Sequence, residues 1–254
     1  MAKARNILAL NDPDPKEMSV VDHLDELRRR LIVCILTVSI FSVVGWFAAG
    51  SVFDLLAAPL NPYAHGPNAA KLVFGTLTSG FLIKIRIAVA VGVAIGLPVL
   101  LYEIWMFVAP AIAVHTRRYV VPFVSLGVVL FAIGIIVGYL LFPRVVQFLV
   151  SQGNSLPGSH EFLLQIDAYV AQFALVLIVF GAVFELPVVL TFLAMIGVTS
   201  SRFLRSKRKY AAMIGLIGAM IITPGADPIT PFITAAVVYL LYEFSIISVR
   251  LIHR

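Results

Sequence analysis

The sequence predicts an all-α, polytopic membrane protein with six transmembrane helices and both termini in the cytoplasm. Three observations carry that expectation. Of 254 residues, 61% are apolar and 13% charged, with a mean hydropathy of +1.01; soluble domains run at about 45–50% and about 25%. The apolar residues gather into charge-free runs close to the length that crosses about 30 Å of hydrocarbon. Of the 19 Lys and Arg, 15 fall in the N-terminus, two alternate connections and the C-terminus. An excess of positive charge in alternate connections marks the cytoplasmic side.

Each element follows in order. Residues 1–18 are polar, carry Pro13 and Pro15, and read as a disordered cytoplasmic tail rather than a cleaved leader. Residues 19–254 then form a single membrane domain. Ser19 to Asp22 fits an acidic capping box. Val20, Leu24, Leu27 and Leu31 recur at four, three and four residues, the stripe of an amphipathic helix. This helix runs into span 1 (about 31–50), with Asp22, Asp25, Glu26 and Arg29 opposite the stripe. Spans 2, 3 and 4 occupy about 78–105, 119–142 and 168–195, and spans 5 and 6 about 210–222 and 229–249. The outer connections after spans 1 and 3 are long and proline-bearing, and read as rigid caps. Span 5 is short: 13 residues at about 1.5 Å each give roughly 20 Å. Either the helix begins earlier, or the wall is thin there.

The same residues exclude several function classes. One cysteine, Cys34, leaves no disulfide framework and no multi-cysteine metal site. The net charge of +6 is a topology signal, not a nucleic-acid patch. His160-Glu161 opens like a zinc-protease motif, but Leu164 stands where the second histidine belongs. There is no G-x-S-x-G and no phosphate loop, and Asp227 lacks a second intramembrane aspartate. No enzyme and no cofactor is expected.

The polar residues at membrane depth remain to be explained. Six of the 13 acidic residues lie in positions 12–26, an attraction for a basic peptide, although Glu26 also stands one turn from Arg30 and suits a simple helical pair. Glu185 interrupts an apolar run, where a charge costs about 2.5–3.5 kcal/mol on insertion scales. Pro187 frees the carbonyl of Val183, so a protonated Glu185 bonded to a freed carbonyl is one reading. Partner docking or proton handling is the other. Glu103 and Glu243 sit near the cytoplasmic ends of spans 2 and 6; Asp227 suits a cap for span 6. Lys84 and Arg86 suit snorkelling, and Trp105 with Phe107 suits an interfacial aromatic belt.

Several segments, taken together and in order, resemble the TatC family, the multi-span core of the twin-arginine protein translocase. They are His23-Leu24-Asp25-Glu26-Leu27-Arg28-Arg29-Arg30-Leu31, Ala58-Pro59-Leu60, Leu101 through Ala111, Arg117-Arg118, Phe184-Glu185-Leu186-Pro187-Val188, and Thr223-Pro224 followed by Asp227. The resemblance spans about residues 18–252. It implies a bacterial inner-membrane receptor for twin-arginine signal peptides on folded precursors, with transport driven by the proton gradient and short fifth and sixth spans. The implied signal-peptide site comprises Asp25, Glu26, Leu27, Arg28, Glu103, Phe107, Thr116, Arg117 and Arg118. The family commonly has glutamate where Thr116 stands, and Asp25 or Glu103 is the candidate substitute. Glu185, with the intramembrane polar residues Gln172 and Asp227, is implied in contact with TatA-type and TatB-type single-span partners, alongside further copies of the chain. Pro59 and Pro187 are implied as structural. Two competitors are weaker: an ion-coupled solute transporter using Glu185, against which the lack of inverted repeats and the single mid-span carboxyl count, and an intramembrane hydrolase, which lacks a catalytic pair.

Overall fold

A computed structural model describes residues 20–63, 71–108, 120–154, 163–222 and 229–252. Its helices are α1 (Val20–Ala57), α2 (Ser79–Val108), α3 (Val120–Asn154), α4 (Ile166–Phe184), α5 (Leu186–Met195), α6 (Ser201–Ser206), α7 (Arg208–Ile222) and α8 (Ile229–Ile252). The chain is therefore an all-helical membrane protein. Five stretches are long and apolar enough to span a bilayer, α4 and α5 together forming one of them. The shorter α7 completes the set: its 15 residues reach about 22 Å.

One end of the bundle gathers the start of α1, the end of α2, the start of α3, α6, the start of α7 and the end of α8. It carries Arg28 to Arg30, Arg202, Arg205, Lys207 to Lys209 and Arg250, and is called the basic end below. The tail at residues 1–18 and Ser19 of the capping box lie outside the described residues. At the opposite end two short strands, β1 (Lys71–Val73) and β2 (Leu163–Gln165), pair in parallel with Lys71 opposite Leu163. They join the connection after α1 to the one after α3. Three-residue strands leave no periodicity to read, and the sequence gives no sign of them.

Without a hydrophobic drive between helices in lipid, close backbone approach supplies the packing. Ala88, Gly92 and Gly96 on α2 repeat every four residues and face α1. A Cβ on Gly92 would stand 2.8 Å from the carbonyl of Val38, and one on Gly45 of α1 2.6 Å from that of Ala88. On the next pair, a Cβ on Gly134 of α3 would stand 2.6 Å from the carbonyl of Phe180 in α4. Aromatic side chains fill the remainder. Phe142 stacks on Phe173 at 4.0 Å, and Trp105 packs on Phe192 at 4.4 Å. Trp105 is 3% exposed, so it is a core residue and not part of an interfacial belt. Belt and core use the same residue type at the same depth, and composition cannot separate them.

Pro59 follows α1 in a 3-10 turn (Ala58–Tyr63). Having no N–H, it cannot serve the carbonyl of Leu55 one helical turn back. The hydroxyl of Tyr139 on α3 donates to that carbonyl instead, at 3.1 Å, and Tyr169 on α4 donates to Leu56 at 2.7 Å. The end of α1 is thereby fastened to two other helices. Gly197, at φ +79°, closes α5: Val198 N–H reaches back to Leu193 at 2.9 Å, a turn that favours glycine. Ser200 then caps α6 by accepting from the Phe203 N–H at 3.2 Å.

Candidate functional site

The acids near the basic end converge because α1 and α2 run antiparallel, setting the start of one beside the end of the other. Arg30 lies one turn along α1 from Glu26, so both face α2. Its Nη2 donates to Glu26 Oε1 at 2.5 Å and its Nη1 to Glu103 Oε2 at 2.7 Å. Its Nε also reaches Glu26 Oε1, at 3.0 Å. All three side chains are half-buried, with exposures of 16–19%. Such fork-to-carboxylate contacts are charge-assisted and geometrically demanding. Glu26 Oε2 is buried and has no hydrogen-bond partner among the described residues. One turn towards the α1 start, His23 stacks on Phe107 of α2 at 4.5 Å and 15°. The helical pair offered as one reading is made, and the same guanidinium also crosses from Glu26 to Glu103.

Asp25, Leu27, Arg28 and Arg29 are exposed on the outer faces of the same turns. Leu24, Leu27 and Leu31 stay uncovered at 58%, 42% and 56%, an apolar stripe pointing away from the bundle. Thr116, Arg117, Arg118 and Asp227 lie outside the described residues. Spacing alone does not reveal the Arg30 crossing, since Glu103 lies 73 residues away; nor does it reveal the part played by His23.

The second polar site is Glu185, 7% exposed at the break between α4 and α5. Its backbone N–H donates to Ala182 at 3.1 Å and its carbonyl accepts from Val189 at 2.9 Å, so the main chain stays connected through the break. Neither carboxyl oxygen finds a hydrogen-bond partner among the described residues. The bond from Glu185 to a carbonyl freed by Pro187, one of the two readings of this residue, is therefore not made. Instead the carboxyl lies over Gly127 of α3, where a Cβ would come 2.8 Å from Oε2. Leu101 of α2 borders the same space. Gln172 is half-buried and stands 13 residues before Glu185, about 20 Å along the helix axis. The two do not share a site.

Towards the opposite end, Lys84 lies over the Trp46 ring at 4.6 Å and Arg86 donates to the carbonyl of Asp167 at 3.0 Å. A groove of about 520 Å³ opens between α4–α5, α7 and α8, lined by apolar side chains such as Phe180, Leu190, Ile214 and Val238. Lys207 stands at its mouth. Beside it Arg208 pairs with Glu243 at 2.6 Å, and Tyr239 donates to the same carboxylate at 3.0 Å.

This fold and these sites define a class: a polytopic, all-helical membrane protein with a guanidinium-holding acid pair at the basic end and a buried carboxyl in a broken span. The family model for the Sec-independent protein translocase protein TatC matches residues 22–236. The TatC proteins of Desulforapulum autotrophicum and Escherichia coli K12 are 36% and 30% identical, over 90% and 96% of this chain and 83% and 91% of their own lengths. A crystal structure described as the twin arginine translocase receptor TatC superposes with a TM-score of 0.78 at 34% identity, covering 91% of this chain and all of that one. The chain belongs to the TatC family, and the relatives' naming as translocase components points to transport rather than catalysis.

Proposed function

We propose that this chain is the receptor and assembly core of a twin-arginine translocase. Its basic end faces the cytoplasm of a bacterial inner membrane, with both termini on that side and residues 19–254 acting as one six-span domain. Glu26 and Glu103 receive the arginines of a signal peptide on a folded precursor, with Asp25, Leu27, Arg28 and Phe107 around them and Arg117 and Arg118 on the adjoining connection. The observation that supports this most is the Glu26–Arg30–Glu103 bridge: two carboxylates from different helices already hold a guanidinium fork. Glu103 thereby offers the second acid that Thr116 does not.

TatA-type and TatB-type single-span proteins, and further copies of this chain, assemble against the membrane helices. Glu185 and Gln172 serve that assembly, and Asp227 belongs to it at the start of span 6. Transport draws on the proton gradient. The test is co-purification in mild detergent with a twin-arginine precursor and with the same precursor carrying alanines in place of the pair. Capture of the first alone is the expected result; equal capture of both refutes the receptor reading.

A further inference from the structure

We infer that Arg30 is a built-in placeholder, occupying in the resting protein the position that a peptide guanidinium takes in the bound one. The inference rests on the receptor reading above and adds a residue to it. Both carboxylates assigned to the peptide are already engaged, and by one side chain of the protein itself. Left alone, two neighbouring half-buried carboxylates repel each other. Arg30 holds them together and leaves the trio with one net negative charge, enough to attract a cationic peptide.

A pair of peptide arginines carries two positive charges. It matches the two acids fully only when Arg30 withdraws. Withdrawal is open to it, because the Arg30 side chain retains 19% of its exposure and stands near the start of the membrane segment, within reach of water. Glu26 Oε2 is buried and has no hydrogen-bond partner among the described residues, so the departure of Arg30 opens a second acceptor on the same carboxylate. Exchange then trades one fork for another of the same geometry. The neighbouring Arg28 and Arg29 are exposed, and among the described residues neither bridges two carboxylates in this way.

A placeholder imposes the same release cost on every ligand, so it lowers affinity without altering preference. Binding of a fluorescent synthetic twin-arginine signal peptide, and of its lysine–lysine counterpart, is measured on the full chain in nanodiscs. Arg30→Gln is expected to tighten both peptides by the same factor, on the order of tenfold for charge-assisted bonds in a partly exposed site. Arg30→Lys, which keeps the charge but not the fork, is expected to fall between that variant and the native protein. Glu26→Gln is the control for the site.

If Glu26→Gln weakens binding and Arg30→Gln weakens it too or leaves it unchanged, Arg30 is a positioning residue; the placeholder is overturned while the receptor reading stands. If the native chain captures neither peptide, or Glu26→Gln makes no difference, the receptor reading fails and takes the placeholder with it. Should Arg30→Gln not fold, Arg30→Lys decides alone, tightening being the supporting result and weakening or no change the refuting one.

Discussion

The two acidic sites of this molecule differ in depth and in company. Glu26 and Glu103 sit at the basic end, partly buried with 18% and 16% of their side chains exposed, and joined through Arg30. Glu185 sits in the broken fourth span with both oxygens unmatched among the described residues. A carboxylate that is wet and already paired can trade one cation for another at small net cost, because water and the old partner share the exchange. A buried carboxyl with no partner among the described residues has no such exchange open to it, and a polar group brought by another helix would satisfy it. The first arrangement suits reversible peptide capture, the second a lasting contact inside an assembly.

Charge reversal at the wet site is the strongest way to break this contrast. Glu26→Lys places a cation against Arg30, and peptide affinity is expected to fall by about 30-fold or more while membrane insertion is unchanged; titration in nanodiscs together with alkaline extraction measures both. At the dry site, Glu185→Ala is expected to cut co-purification of single-span partners severalfold and to move peptide binding by less than about twofold. Equal losses in the two assays indicate a folding defect instead.

Gly127→Ala sharpens the same point through packing. The new methyl comes 2.8 Å from Glu185 Oε2 and 2.7 Å from a Leu101 methyl, so the carboxyl has to move. A stability loss of about 1–3 kcal/mol is expected in a thermal scan, with peptide affinity unaffected. Asp25→Asn is expected to do least. Asp25 is exposed on the outer face of α1, and a change in peptide affinity beyond about threefold would show that the site is wider than the Glu26–Arg30–Glu103 trio.

Much of the fold was legible because lipid imposes a length and a composition on any helix that crosses it. The apolar runs, the N-terminal stripe and the brevity of the fifth span all follow from that rule. Glu185 stood out for the same reason, as a charge where none is cheap. The contacts between distant segments were not legible. Arg30 reaching Glu103 links positions 73 residues apart, and nothing in the spacing of either helix encodes it. The tyrosine hydroxyls that serve the carbonyls ahead of Pro59 are equally hidden, since Tyr139 and Tyr169 read as ordinary span aromatics. His23 on Phe107 has a similar cause: a stacked pair needs two helices to meet, and only their antiparallel packing decides which residues do.

The length of α7 carries one more consequence. A rod of about 22 Å set in about 30 Å of oil leaves roughly 8 Å to be made up by the surrounding lipid. Headgroups beside it are expected to be drawn inward as a dimple, bringing water nearer the midplane there than along the 35-residue α3.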